Sequence, residues 1–280
     1  MCPNINSIVS DFTENLCVQH YAPSTVKTYK NVLIKFLIAF KNDDLNQISI
    51  QNLQVYIRQL QFQDNISAAY QKQILATIDK FYVFYFQRKL NLSSLYPKQE
   101  SYPLPKYLTV PEIKRLLSHC NNLKHLCVLK IMYGCGMRVS EVISLKLKDI
   151  DSKGMYLHIR SPKDKKDRIV PLPKSLLLSL REYIKVYCPK HYLFEGQQVE
   201  YYSVKSIQNF IKKYARAAKI KKNVTPYMLR HSYATHQMEK GVDIRYVQDF
   251  LGHKSIKTTE RYTHITNVSK NGMVNPLDQL

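Results

Sequence analysis

Residues 225 to 262, TPYMLRHSYATHQMEKGVDIRYVQDFLGHKSIKTTERY, are punctuated so closely that they admit only short helices joined by sharp turns. Thr225 offers a side-chain acceptor to the free N–H groups of a helix start, and Pro226 suits the first helical position, where no donor is needed. Gly241 is placed to end that helix, Asp243 to cap the next, and Gly252 to end that one in turn. Tyr227 and Arg230 fall on the first turns of the first helix. His253 follows the second helix directly, and Ser255 caps a turn that leads to Tyr262. The stretch thus gathers a guanidinium, an imidazole and a phenol on elements that short turns can fold together. A guanidinium clamps a phosphate with two parallel hydrogen bonds. An imidazole can donate to a phosphoryl oxygen, and a phenol is a nucleophile once its proton is managed. The other histidines here, His231, His236 and His264, read as structural or surface groups.

The same helical grammar governs the rest of the chain. Val26, Tyr29, Val32, Leu33, Phe36, Leu37 and Phe40 recur at three- and four-residue spacings, which predicts an amphipathic helix over 24–40 with Ser24 as its cap. Tyr70, Ile74, Ile78, Phe81, Tyr82 and Tyr85 predict another over 68–88, and weaker patterns cover 5–19 and 49–62. Four such helices make a small bundle over residues 1–90. Lys27, Lys30, Lys35, Lys72, Lys80, Arg88 and Lys89 fall on its outer faces, as phosphate contacts or as a solvated basic surface. Residues 91–106, rich in proline and polar groups, have the composition of a linker.

A second domain is expected over 107–265. Thr109 and Glu112 form a capping box that starts a helix near Val110. An apolar helix over 125–134 leads into GCGMRVSE, where Gly134 and Gly136 are expected to loosen the chain. Arg138 then stands near a helix start, whose N–H donors and dipole favour an anion. Glu141, one turn on, is placed either to orient Arg138 or to support the helix end. Residues 154–160 and 167–172 predict a hairpin or small sheet. Lys163, Lys165 and Lys166 sit at its tip, where a lysine can hand a proton to a leaving oxygen or simply be exposed. Helices follow near 174–187 and 203–219, the second bearing Lys205, Lys212, Lys213, Arg216 and Lys219, a basic stripe that suits a groove-facing, DNA-binding helix. The fold class is therefore mainly α: an N-terminal helical bundle plus a mostly helical second domain with a small β-sheet or hairpin.

The 42 Lys and Arg against 21 Asp and Glu leave a formal charge of +21, which points to a polyanionic partner, nucleic acid first. The six cysteines contain no CxxC pair, as expected of free thiols in a reducing, cytoplasmic setting. No apolar run approaches the roughly 20 residues that cross a bilayer, and no signal-peptide pattern opens the chain, so no membrane partner is expected. No metal site or cofactor motif is evident.

GCGMRVSE, the PKDKKDR hairpin, TPYMLRHSYATH and LGHKSIKTTERYTH, in this order, resemble the tyrosine recombinase (phage integrase) family, in particular its small Xer-type and mobile-element integrases. The resemblance implies a core-binding domain over 1–90 and a catalytic domain over 107–265. It implies that double-stranded DNA is cut and rejoined through a 3′-phosphotyrosyl intermediate, without metal, cofactor or ATP. Arg138 and Arg230 match the arginines that grip the scissile phosphate, Lys163 the lysine that protonates the leaving 5′ oxygen, His253 the supporting histidine and Tyr262 the nucleophile. Glu141 matches the acidic residue beside the first arginine. Tyr227 departs from the pattern, since the family commonly has histidine there. A phenol with an ordinary pKa of about 10 is a poor base near neutral pH. The family works as a tetramer on two duplexes, in some cases with a second recombinase. Residues 266–280, with Met273, Val274 and Leu277, are a candidate tail for exchange between subunits. Two competing readings share this pattern: a DNA-binding accessory protein without catalysis, to which Tyr227 lends support, and DNA relaxation of the type IB topoisomerase kind.

Overall fold

The computed structural model describes residues 4–98, 106–160, 167–196 and 201–252, together with 255 and 259. The chain divides into two compact units, residues 1–102 and 103–280.

In the first unit, α1 (Ile5–Val18), α2 (Pro23–Ala39), α3 (Ile50–Asp64) and α4 (Ala68–Phe86) form the expected bundle. The three- and four-residue spacings turn Phe12, Val32, Leu33, Phe36, Leu37, Ile74, Ile78 and Phe81 onto one core. Its centre is aromatic: Phe12 and Phe36 meet Phe81 edge-on, with ring centroids 6.1 and 6.3 Å away. Each such side chain, taken from water, contributes about 1.5–3 kcal/mol. Ser24 is not the cap of α2. Pro23 takes the first helical position, Ala22 precedes it without a side-chain cap, and Ser24 lies inside the first turn. Part of the expected linker belongs to the bundle: Leu92 and Leu95 are buried in its core, and Gln71 Nε2 donates to Leu95 O at 2.7 Å.

The second unit holds α5 (Val110–Ser118), α6 (Leu123–Gly134), α7 (Val139–Ser144), β1 (Ile150–Asp151), β2 (Tyr156–Ile159), β3 (Arg168–Pro171), α8 (Lys174–Tyr187), α9 (Val204–Ala217), α10 (Pro226–Glu239) and α11 (Ile244–Leu251). Both halves of the capping box before α5 are made, Thr109 N donating to Glu112 Oε2 and Glu112 N to Thr109 Oγ1. The strands form one antiparallel sheet in the order β1-β2-β3, with Leu157 opposite Val170 and Ile159 opposite Arg168. The two strands of the expected hairpin are thus paired, and β1 is added at the edge of β2.

Helix α10 is buried along nearly its whole length, polar residues included. Buried polar groups need partners, and most of these have them. Ser232 Oγ donates to Met228 O and accepts from Leu108 N, both at 2.8 Å, and His236 Nδ1 lies 3.0 Å from the Tyr133 hydroxyl. Such a helix cannot slide or rotate without breaking several bonds at once, which makes it a firm mount for Arg230.

Candidate active site

Gly136 sets the geometry. Its φ is +59°, and a Cβ there would stand 2.6 Å from the Tyr233 ring and 2.9 Å from Leu251. The glycine therefore fixes a close, left-handed turn and does not loosen the chain. That turn aims the Gly136 carbonyl at α10, where Arg230 NH1 donates to it at 2.7 Å. Arg230, 2% exposed, donates through NH2 to Leu251 O at 2.5 Å.

Arg138 immediately precedes α7. Its NH2 donates to Gly252 O at 3.0 Å and its NH1 to Glu141 Oε1 at 2.8 Å, while its backbone N donates to Glu141 Oε2 at 2.8 Å. Glu141 thus does both things expected of it, orienting the guanidinium and supporting the helix end. The dipole of α7 adds little: the helix has six residues, and the Glu141 carboxylate already occupies its first turn. The positive character of this corner comes from the side-chain charges.

A third arginine completes the cluster. Arg168, at the start of β3, donates from NH1 and NH2 to the two oxygens of Glu141 at 2.9 and 2.8 Å, and from Nε to Phe250 O at 2.8 Å. Three guanidiniums therefore bind the carbonyls of Phe250, Leu251 and Gly252 in succession, at the negative end of α11, where a cation is favoured. Burial alone would push the Glu141 carboxyl up. The hydrogen bonds and charge of Arg168, the Arg138 N–H and the charge of Arg230 outweigh it and hold the carboxyl at about 2. Glu141 stays ionised, and one negative charge against three positive leaves a local excess that suits a phosphate.

Tyr227 is 55% exposed on the first turn of α10, its ring edge-on to His231 at 4.0 Å between centroids. His231 and His236 are buried. Lys163, Lys165, Lys166, His253 and Tyr262, and the tail 266–280 with it, lie outside the described residues. Lys205, Lys212, Lys213, Arg216 and Lys219 are all exposed on or just beyond α9. Lys27 and Lys30 are exposed on α2, whereas Lys72 is half-buried and Lys80 lies over the Tyr21 ring at 4.8 Å. Among the described residues no group of three or more His, Cys, Asp or Glu side chains is placed to hold a metal, and no helix is long and apolar enough to cross a membrane.

Motif and composition do not single out Arg168. The available signal is strand alternation: Arg168 shares a face with buried Val170, while Ile169 between them is exposed. An arginine on the inward face of a strand requires a buried acid.

A mainly helical unit thus brings three arginines distant in sequence to one helix end. The phage integrase family model matches residues 106–268, and the N-terminal SAM-like domain model of phage integrases matches residues 8–92. Tyrosine recombinase XerA of Pyrococcus horikoshii is 41% identical over 167 residues, a stretch covering 58% of this chain and 58% of that protein. A tyrosine recombinase of Pseudothermotoga lettingae is 32% identical over 97% of this chain and 98% of its own length. Among solved structures, the XerA recombinase crystal structure matches with a TM-score of 0.56 at 27% identity, covering 96% of this chain and 97% of that one. A lambda integrase dimer bound to a core site matches with a TM-score of 0.75 at 18% identity, covering 92% and 94%, a likeness of fold. The chain belongs to the phage integrase family.

Proposed function

We propose that the chain is a tyrosine-type site-specific recombinase that cuts and rejoins double-stranded DNA. Tyr262 is its nucleophile, Arg138 and Arg230 grip the scissile phosphate, His253 supports it and Lys163 protonates the leaving oxygen. The observation that carries this reading is the convergence of Arg138 and Arg230 on the neighbouring carbonyls of Gly252 and Leu251. Two cations far apart in the sequence are thereby fixed beside the segment that continues to His253 and Tyr262.

In the cleavage step the Tyr262 oxygen bonds to phosphorus and the bond from phosphorus to the 5′ oxygen breaks, that oxygen taking a proton from Lys163. Tyr227 does not remove the phenol proton of Tyr262, which leaves to water or to the phosphate. Negative charge gathers on the phosphate's other oxygens, where the preorganised guanidiniums meet it. The loss of one such donor costs about 3 kcal/mol, roughly a hundredfold in rate. The phosphotyrosyl bond retains the energy of the phosphodiester, so a 5′ hydroxyl from another strand can reverse the step without a nucleotide cofactor.

In this reading both units, the core-binding one and the catalytic one, touch the duplex, and residues 266–280 dock on a neighbouring copy in a tetramer. The free thiols of Cys17, Cys120, Cys127, Cys135 and Cys188 suit the cytoplasm. The test is a nicked duplex carrying a site selected by the purified chain from a random-sequence pool, which traps a cleaving enzyme on its DNA. The chain is expected to form a denaturant-resistant adduct, and Tyr262→Phe is expected to bind the same DNA and form none. An adduct from Tyr262→Phe, or none from the unaltered chain, rejects the assignment.

A further inference from the structure

Arg168 has no part in the scheme above, yet it is firmly anchored in the cluster. Its side chain is 10% exposed, all three of its nitrogens are engaged within the protein, and a Cβ at Gly252 would stand 3.2 Å from its Cδ. A strand arginine serving as a phosphate contact would keep its fork towards solvent. This one spends it on Glu141.

The consequence follows from what Glu141 does. Its carboxylate aims Arg138, but a bare carboxylate beside a DNA phosphate would also repel it. It could equally take both nitrogens of the Arg138 fork and draw that group from its substrate. With Arg168 on both oxygens, Glu141 keeps one bond to the Arg138 guanidinium and loses most of its field. The Nε bond to Phe250 O meanwhile pins the end of α11, from which the chain continues to His253. One side chain so ties together the strand that follows the lysine hairpin, the acid beside the first arginine and the end of α11.

We propose that Arg168 is a positioning residue for strand cleavage, acting through Glu141 on the direction of the Arg138 guanidinium and through Phe250 on the end of α11. The inference rests on the recombinase reading of Arg138. A guanidinium displaced by about 1 Å costs up to about a hundredfold in rate. Arg168→Gln is therefore expected to bind the selected duplex with unchanged affinity and to form the covalent adduct up to about 100-fold more slowly. Arg168→Lys recovers part of that loss, because an ammonium keeps the ion pair but cannot also reach Phe250 O.

Two further readouts separate positioning from mere support of the fold. With Arg168 gone, Glu141 keeps Arg138 and Arg230 as its cationic neighbours among the described residues, its carboxyl rises, and adduct formation by Arg168→Gln weakens as pH falls, unlike the unaltered chain. The Glu141→Gln/Arg168→Gln double variant removes the carboxylate together with its two-pronged partner. It is expected to fold even where the single variant does not, to lose that pH dependence and to cleave no more slowly than Arg168→Gln alone. Wild-type adduct rates in Arg168→Gln, fully additive losses in the double variant, or a loss confined to DNA affinity would each overturn the inference. An unaltered chain that forms no adduct overturns the recombinase reading, and this inference with it.

Discussion

Glu141 is the residue whose ionisation the cluster is built to protect. Its carboxyl is held at about 2 against the ordinary 4.5, so the ion pairs stabilise the fold fully above pH 4.5. That contribution fades as pH falls from there to about 2, because the unfolded chain takes up the proton first. Glu141→Gln should remove this stretch of acid sensitivity. It should also cost about 3–5 kcal/mol near neutral pH, since Arg168 is left buried without its anion. Chemical denaturation of both proteins at several pH values measures both effects. At Tyr227 the expected change is catalytic. Under the recombinase reading, Tyr227→His supplies a group that titrates near 6.5, so the cleavage rate of that variant should rise as pH increases through that value. The unaltered chain should lack that rise, and single-turnover adduct formation across pH 5.5–8 (roughly one unit either side of the histidine range) distinguishes them.

Between elements, the turn from α6 to Arg138 is a close junction, with Gly136 packed against residues of α10 and α11. Gly136→Ala forces a side chain into a left-handed position against Tyr233 and Leu251. A cost of about 1–3 kcal/mol is expected in thermal or denaturant melts. Under the recombinase reading adduct formation slows as well, because the carbonyl that holds Arg230 shifts. The reason lies beyond the reach of sequence patterning. GCGMRVSE shows a break before Arg138, and Gly241 and Gly252 do follow their helices at positive φ. Whether a glycine frees a chain or fits it into a gap depends on the ring and the leucine packed above it, which come from α10 and α11. The helices themselves were legible because their apolar spacing is local and repeated. The capping box at Thr109 and the strand pair flanking residues 161–166 were legible for the same reason. The start of α2 differs from the expected Ser24 cap because serine and proline both signal a helix start, and proline's fixed φ decides which residue stands first. Strand β1, two residues long, is too short to carry a period. Arg168 escaped because its partners, Glu141 and Phe250, are set by tertiary contact alone, and an arginine beside three hairpin lysines looks like one more surface cation.

At the scale of the whole chain the two units have separate cores, Phe12, Phe36 and Phe81 in one and the residues around α6 and α10 in the other. Phe36→Ala should therefore destabilise the first unit by about 3–5 kcal/mol and lower one calorimetric transition while leaving the other in place. The excess charge belongs to the same scale, and it makes the sharpest demand on the proposed partner. A chain of +21 binds DNA largely by releasing counterions, so log K should fall with log salt by about 0.9 for each phosphate neutralised. The exposed lysines of α9 are the place to count those contacts. Lys205 and Lys212 lie two turns apart on its outer face, clear of the apolar side formed by Ile207, Phe210, Ile211 and Tyr214. Lys205→Gln/Lys212→Gln should leave the melting temperature unchanged, since neither side chain supports the core. If both lysines touch phosphates, the salt slope should become shallower by about 2, whichever duplex sequence is used. A slope that does not move would place the bound duplex on another face of the unit.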